Sequence, residues 1–279
     1  MTSAPSQAPR ETWRKYMHEY NEGLGLVYER IVLNDFLDQL MDRHTLHTVV
    51  EAPIYGMAGV SGINSVRLAQ RGAAVTLVDC DAERLDGVHR IWNELQLTAS
   101  FYQNDFLKLP FEDRTFDLAW NWAALWHIPQ PEPLIKELVR VSRQFVFIAM
   151  PNRVQVGYLL RKYILERDFV NYVDESWADI RRVKRILQEC GARIIDEGVL
   201  DVPPWPDTVM PAAQVLSKFG LRSKQFEGNN WNWSSMDYYL GKRPELKARI
   251  ERYAFLEHAP IPWQIKSVWA HHRYVLVHV

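Results

Sequence analysis

Between His47 and Asn152 the chain alternates two hydrophobic periods, and that alternation restricts the fold more than any other feature. "HTVVEA" reads as a short apolar strand, "INSVRLAQRG" as a helix closed by Gly72, and "AAVTLVD" as a second strand. "ERLDGVHRIWNELQL" is a helix, "ASFYQND" a third strand and "FDLAWNW" a fourth. "PEPLIKELVRVS" is a helix and "QFVFIAMPN" a fifth strand. Period two marks strands and period 3.6 marks helices. Strands separated by helices imply right-handed crossovers and a parallel sheet covered on both faces. The expected fold class is therefore α/β, a doubly wound, Rossmann-like sheet.

Two later segments raise the strand count to seven: "ARIIDEGVLDV", after a helix stopped at Gly191, and the terminal "HRYVLVHV". Residues 11–47 carry apolar positions at helical spacing (Leu26, Val27, Ile31, Val32, Phe36, Leu37, Leu40, Met41), with a further helix around Trp13–Tyr20. They predict an N-terminal helical cap behind a disordered tail at 1–10. An insertion at 203–268, rich in Pro, Trp, Asn and Tyr, precedes the last strand. It contains a capping-box-like pair, Ser234 and Asp237, and a helix predicted from Pro244 to about His258. The core is then 48–202 with 269–279, and 203–268 is expected to form a substrate lid.

Bulk properties exclude several function classes. A formal net charge of −1 over 279 residues leaves no electrostatic footprint for nucleic acid. No apolar run approaches the eighteen or so residues of a membrane span, and "MTSAPSQAPRE" has no secretory apolar region. Only Cys80 and Cys190 are present, too few for a disulfide framework or a cysteine-based metal site, so no metal is expected and a cytoplasmic setting is the default. Aromatic residues crowd two places: Trp120, Trp122 and Trp126, then Trp205, Trp231, Trp233, Trp263 and Trp269. Most aromatics serve cores, yet this distribution fits an aromatic-walled pocket.

Ligands of open α/β sheets bind at the carboxyl ends of strands where the strand order reverses. The first strand runs into "EAPIYGMAGVSG", whose Gly56, Gly59 and Gly62 are spaced three and three. A dinucleotide fingerprint needs two and three, so that match fails. Asp79 ends the second strand, seventeen residues beyond Gly62, placed to accept hydrogen bonds from both hydroxyls of a ribose. Asp105 and Phe106 follow the third strand, suited to an adenine amino group and to the adenine ring. The fourth strand ends near Asn121 and Trp122.

Val49 to Asn152 resembles the class I S-adenosylmethionine-dependent methyltransferases, small-molecule group. The likeness rests on Glu51 ending strand one, "GINSVRLAQRGAAVTLVD", "NDFLKLPFEDRTFDLAW", "ALWHIPQPEPLIKELVRVS" and the closing "PN", in that order. It implies an antiparallel hairpin of the last two strands at the sheet edge, the last strand being the antiparallel one. It also implies S-adenosyl-L-methionine as cofactor. Glu51 and the Gly56–Gly62 loop would face its methionine part, Asp79 its ribose, Asp105 and Phe106 its adenine. Asn121 and Trp122 would floor the sulfonium. The family pattern places six positions between the acid and its last glycine. Here Glu51 to Gly62 is eleven, with Pro53 in place of the first glycine, so the loop is about five residues longer. A sulfonium favours aromatic faces by ~0.5–2 kcal/mol, a part open to Trp122 or Tyr55.

Methyl transfer is an in-line displacement in which a base is optional. His127, after strand four, is the first candidate for one, and His271 and His272 enter the last strand. Tyr16, Tyr20, Tyr28, Trp231, Trp233, Tyr238 and Tyr239 are the expected wall of a pocket for an apolar or aromatic small-molecule acceptor. Arg153, Arg161 and Lys162 are placed to meet an acidic acceptor or to form a solvated face. The alternatives are a nicotinamide-dependent oxidoreductase and a non-catalytic binding protein on the same fold. The assembly is left open, a homodimer included.

Overall fold

The computed structural model of the protein describes residues 13–205 and 232–279. The 1–10 tail, most of the first half of the 203–268 insertion, and Trp231 lie outside the described residues. Seven strands form one sheet: β1 (Thr48–Glu51), β2 (Ala74–Asp79), β3 (Ala99–Gln103), β4 (Phe116–Trp122), β5 (Ser142–Pro151), β6 (Arg193–Leu200) and β7 (His272–His278). Their order is β3-β2-β1-β4-β5-β7-β6. Strands β1 to β5 pair in parallel, and β7 runs antiparallel to both β5 and β6. The edge hairpin is as expected, with β7 threaded between β5 and β6 so that β6 forms the edge.

Burial follows position in the sheet. Every residue of central β4 is buried, whereas edge strand β3 is half open to solvent. Asp117 fastens the lower end of β4 to β1: its carboxylate accepts from the His47 and Thr48 amides at 2.8 and 2.9 Å and from Gln144 Nε2 at 2.6 Å. Order reverses at β1, which pairs β2 on one side and β4 on the other. A crevice between the β1 and β4 connections results, and this is where such sheets bind ligands.

Helices cover both faces. In chain order they begin with α1 (Trp13–Tyr16), α2 (Leu24–Arg43), α3 (Val66–Gln70), α4 (Ala82–Glu94), α5 (Pro131–Val141), α6 (Val156–Leu160) and α7 (Ile180–Glu189). On α5 Pro131 opens the first turn, where its missing N–H costs nothing, and Leu134, Ile135, Leu138 and Val141 make the buried stripe. That stripe and Ile180, Val183, Ile186 and Leu187 of α7 belong to one core layer; α2, α3 and α4 build the other.

The N-terminal segment supplies a helix to the core. Val27, Ile31, Val32, Leu33, Leu37 and Leu40 of α2 are buried. The Phe36 ring stacks on Phe147 of β5, and lies 5.0 Å from Tyr274 of β7. The N-terminal segment thus covers the sheet over β5 and β7. Beyond residue 231, Ser234 Oγ caps Ser235–Tyr239 through the Asp237 amide at 3.1 Å, as the spacing predicted. The helix expected from Pro244 to His258 divides into Glu245–Glu251 and Phe255–His258.

Candidate functional site

Asp79 ends β2 with no exposed surface. Its Oδ1 accepts from the Asp81 amide at 2.9 Å and from Arg84 Nη1. The local sequence dictates this. Asp81 caps α4 by accepting from the Arg84 amide at 3.0 Å, which puts Arg84 in the first turn. From there the Arg84 guanidinium turns back over the strand end, 4.8 Å from the Trp13 ring centroid and 4.6 Å from that of Tyr55. Oδ2 of Asp79 is buried and has no hydrogen-bond partner. Burial pushes the Asp79 carboxyl up and the Arg84 charge opposes this.

Asp79 and Arg84 lie on a cavity of about 260 Å³ that is also lined by Trp13, Pro53, Tyr55, Phe106 and His127. Phe106 is 4% exposed, at φ +68°, with its amide held by Asn104 Oδ1 at 2.7 Å. A left-handed phenylalanine is strained, and the Asn104 bond offsets part of that cost while the ring faces the cavity. The His127 ring meets Tyr55 edge-on at 4.8 Å. Asp105 is exposed, and its Oδ1 accepts from the Leu107 amide at 3.1 Å.

The remaining expected cofactor residues lie behind this wall. Glu51 is fully buried, accepting from Asn64 Nδ2 at 2.9 Å and Ser65 Oγ at 2.6 Å. Its carboxyl is pushed up to about 7 by burial, against the pull of those two donors. Asn121 donates to the Ala52 carbonyl at 3.1 Å and accepts from the Ala124 amide at 3.3 Å, tying the end of β4 to the start of the loop. Trp122 Nε1 donates to Glu29 Oε1 at 2.7 Å.

Two of the three loop glycines have a packing reason. A Cβ at Gly62 (φ +70°) would stand 2.5 Å from Val88 Cγ1 of α4, and one at Gly59 (φ +81°) 2.8 Å from Glu22 Oε1. Gly56 is at ordinary φ, with the Ala58 carbonyl 3.3 Å from its Cβ position. None of the three lines the cavity. The lengthened loop is directed at Glu22, whose Oε1 accepts from the Val60 amide at 2.8 Å and whose Oε2 accepts from the Ser235 amide at 3.1 Å.

The expected substrate wall separates into three groups, none of them on this cavity. Tyr28 is fully buried, its hydroxyl 3.3 Å from Glu257 Oε2, so it packs the core. Tyr16 is half-buried against the core, and Tyr20 donates to Glu94 at 2.8 Å on the α4 side. Trp233, Tyr238 and Tyr239 gather beyond α2, where Tyr239 donates to Asn34 Oδ1 at 3.0 Å and Arg249 lies over Trp233. Arg161 and Lys162 pair with Glu166 and Glu175, each at 2.7 Å, and Arg153 donates to the Glu175 carbonyl. Arg161 and Lys162 are thereby neutralised.

Trp13, Arg84 and Ile128 line the cavity without having been singled out by the sequence, and Pro53 had been noted only as a departure from the family's glycine. Arg84 had a local signal, since a residue three after an N-cap projects toward the strand end. Trp13 had none, because 66 positions separate it from Asp79. The residues present fit an adenosyl group. A buried carboxylate oxygen has no donor among the described residues, and the aromatic side chains Trp13, Tyr55 and Phe106 line the same cavity.

Residues 57–148 match a family model described as a methyltransferase domain. Tocopherol O-methyltransferase, chloroplastic, of Arabidopsis thaliana is 33% identical over 87 residues, 31% of this chain and 25% of that protein. Cycloartenol-C-24-methyltransferase 1 of Oryza sativa subsp. japonica is 26% identical over 170 residues, 58% of this chain and 48% of that one. The chain thus spans a quarter to about half of the length of these curated relatives. Among solved structures, magnesium protoporphyrin IX methyltransferase from Synechocystis PCC 6803, with bound SAH, aligns at TM-score 0.55 and 12% identity, covering 95% of this chain and 91% of that one. The [4+2]-cyclase SpnF aligns at 0.50 and 14%, covering 88% and 80%. Fold, strand order and family match agree: this chain carries a class I S-adenosylmethionine-dependent methyltransferase domain.

Proposed function

We propose that the protein transfers a methyl group from S-adenosylmethionine to a small apolar or aromatic metabolite by in-line displacement. One observation carries the proposal: Asp79 Oδ2 is buried, has no hydrogen-bond partner among the described residues, and belongs to a residue on the same cavity as Phe106, Tyr55 and His127. An unpaired buried carboxylate oxygen is costly unless a ligand donates to it, and two ribose hydroxyls are such donors. When bound, the cofactor supplies the electrophilic methyl group and its own leaving group.

In this reading Phe106 and Tyr55 flank the adenine, and Asp105 accepts from its amino group. Glu51, through Asn64 and Ser65, fixes the start of α3 on the methionine side, with the Gly56–Gly62 loop above it. Asn121 and Trp122 hold the floor by anchoring the β4 end. His127 takes the acceptor's proton where one has to leave. The cavity is smaller than the 300–1,000 Å³ of ordinary ligand sites, so Arg84 swings off Asp79 to admit the cofactor.

An apolar ring-bearing acceptor agrees with the two curated relatives, whose names state tocopherol and cycloartenol. Trp233, Tyr238 and Tyr239 of the insertion, with Tyr16 and Tyr20, stand off the cofactor cavity and are kept in this proposal as the wall that meets the acceptor. No described helix is long and apolar enough to cross a membrane. A cytoplasmic setting and the absence of a nucleic-acid substrate are parts of the same proposal, with the assembly left open, a homodimer included.

Thermal melting with S-adenosylhomocysteine, S-adenosylmethionine and NAD tests it. A ligand at 100 times its Kd stabilises by about 2.7 kcal/mol. Both adenosyl ligands are expected to raise the melting temperature and NAD is not. A shift with NAD alone would reject the reading in favour of an oxidoreductase.

A further inference from the structure

The last strand begins with two adjacent histidines that the cofactor site does not use. His272 pairs in register with Pro151 at the end of β5 and with Leu200 at the end of β6. It therefore sits at the carboxyl edge of the sheet, where the Trp122 ring ending β4 lies 4.6 Å from its own. Asp201, the residue after β6, is 2% exposed and reaches His272 Nδ1 at 3.3 Å and His271 Nδ1 at 3.0 Å through the same Oδ2. Glu29 of α2 completes the group. One side-chain atom each from Glu29, Asp201 and His272 lies within 4.8 Å of the others. The other carboxylate oxygen of Asp201, Oδ1, is buried without a hydrogen-bond partner among the described residues.

Glu29 and Asp201 come from chain positions 172 residues apart, and α2 packs so as to bring two carboxylates together beside imidazole. Two carboxylates this close, Asp201 buried and Glu29 partly buried, are balanced by a cation between them or by a proton on one of them, and the imidazole beside them suits a cation. A third, Glu257, is also buried nearby, but its Oε2 is engaged by the Val202 amide at 2.7 Å and by Tyr28. Trp122 Nε1 fixes Glu29 through Oε1, as outer partners of metal-bound carboxylates do. Ligand atoms within 4.8 Å of one another need to close by only about an ångström or two around an ion with bonds of ~2.0–2.2 Å. An imidazole with two carboxylates favours a first-row transition dication over Mg²⁺, which prefers all-oxygen shells.

We propose that Glu29, Asp201 and His272 bind one divalent transition-metal ion, of the Zn²⁺ or Mn²⁺ class, at the carboxyl edge of the sheet beside Trp122. His271 orients Asp201 from outside the ligand set. The ion ties α2 to the β6–β7 hairpin, independently of whether methyl transfer takes place.

The test is equilibrium dialysis of EDTA-treated full-length protein against Zn²⁺, with bound metal counted by mass spectrometry. The wild type is expected to retain one Zn²⁺ per chain and to melt at a higher temperature with Zn²⁺ than with EDTA. Asp201→Asn and His272→Gln are each expected to weaken Zn²⁺ binding ~100-fold or more. S-adenosylhomocysteine binding by the same samples reports whether each variant is folded, and should one fail to fold, Glu29→Gln takes its place. Wild type that retains no stoichiometric metal overturns the proposal, and a protonated His272 is then the balancing cation. Folded variants that bind Zn²⁺ as tightly as wild type also overturn it, as does binding of Mg²⁺ in preference to Zn²⁺. Loss of metal binding with adenosyl binding intact, or the reverse, separates this site from the methyltransferase reading.

Discussion

Asp79 is shared between the protein and its proposed ligand. Arg84 neutralises Asp79 inside the cavity, and the adenosyl ribose has to compete for the same carboxylate. Arg84→Met removes the competitor and leaves a buried charge without its partner. The expected result is a lower melting temperature together with S-adenosylhomocysteine binding ~3- to 10-fold tighter, since the cost of opening the binding-competent state is removed. Weaker binding would instead make Arg84 a cofactor ligand. Glu51 gives a pH signature. Its folded carboxyl titrates near 7 because of burial, above its unfolded value, so the native state binds the extra proton. Stability is then greatest below the unfolded value and is lost as pH rises from about 4.5 to about 7. Glu51→Gln, measured by urea denaturation, is expected to flatten that decline; an unchanged slope would place the proton elsewhere. At this scale Asp79 was legible because a strand end in this topology has one destination. Glu51 was legible as an acid but not in its partners, since Asn64 and Ser65 bind it only once the loop has folded.

The extra loop residues acquire a purpose at the level of elements. They carry Val60 to Glu22, which also holds the Ser235 amide and faces Arg30 at 3.9 Å, with both charged side chains nearly fully buried. One carboxylate therefore joins the β1 loop, the segment leading into α2 and the visible part of the insertion. Glu22→Ala leaves two buried amides without an acceptor and Arg30 without a counter-charge. The expected loss is ~3–5 kcal/mol by denaturant titration. S-adenosylhomocysteine binding should weaken as well, because Pro53 and Tyr55 of the same loop line the cavity. A loss below about 1 kcal/mol would show that the loop is held elsewhere. The alternating periods read these elements well for β1 to β5, where each strand is local. They showed that α2 has a buried face but not that it packs on β5 and β7, because amphipathic spacing does not say which surface will cover a helix.

For the molecule as a whole, the sheet and its edge hairpin followed from the order of periods and the family likeness, whereas the walls of the site depend on contacts across long stretches of chain. Trp13 reaching Asp79, and Glu29 reaching Asp201, are of that kind. The fold does not by itself fix the reaction: a structure described as a [4+2]-cyclase shares it at TM-score 0.50. Activity therefore depends on the site, where the buried carboxylate of Asp79 is the proposed acceptor for a ribose. Isothermal titration of S-adenosylhomocysteine into wild type and Asp79→Ala measures that claim directly. Wild type is expected to bind one equivalent, and Asp79→Ala, shown to be folded by its melting transition, to bind at least ~10- to 100-fold more weakly, the cost of losing charge-assisted hydrogen bonds. Equal affinity in the two proteins would contradict the account.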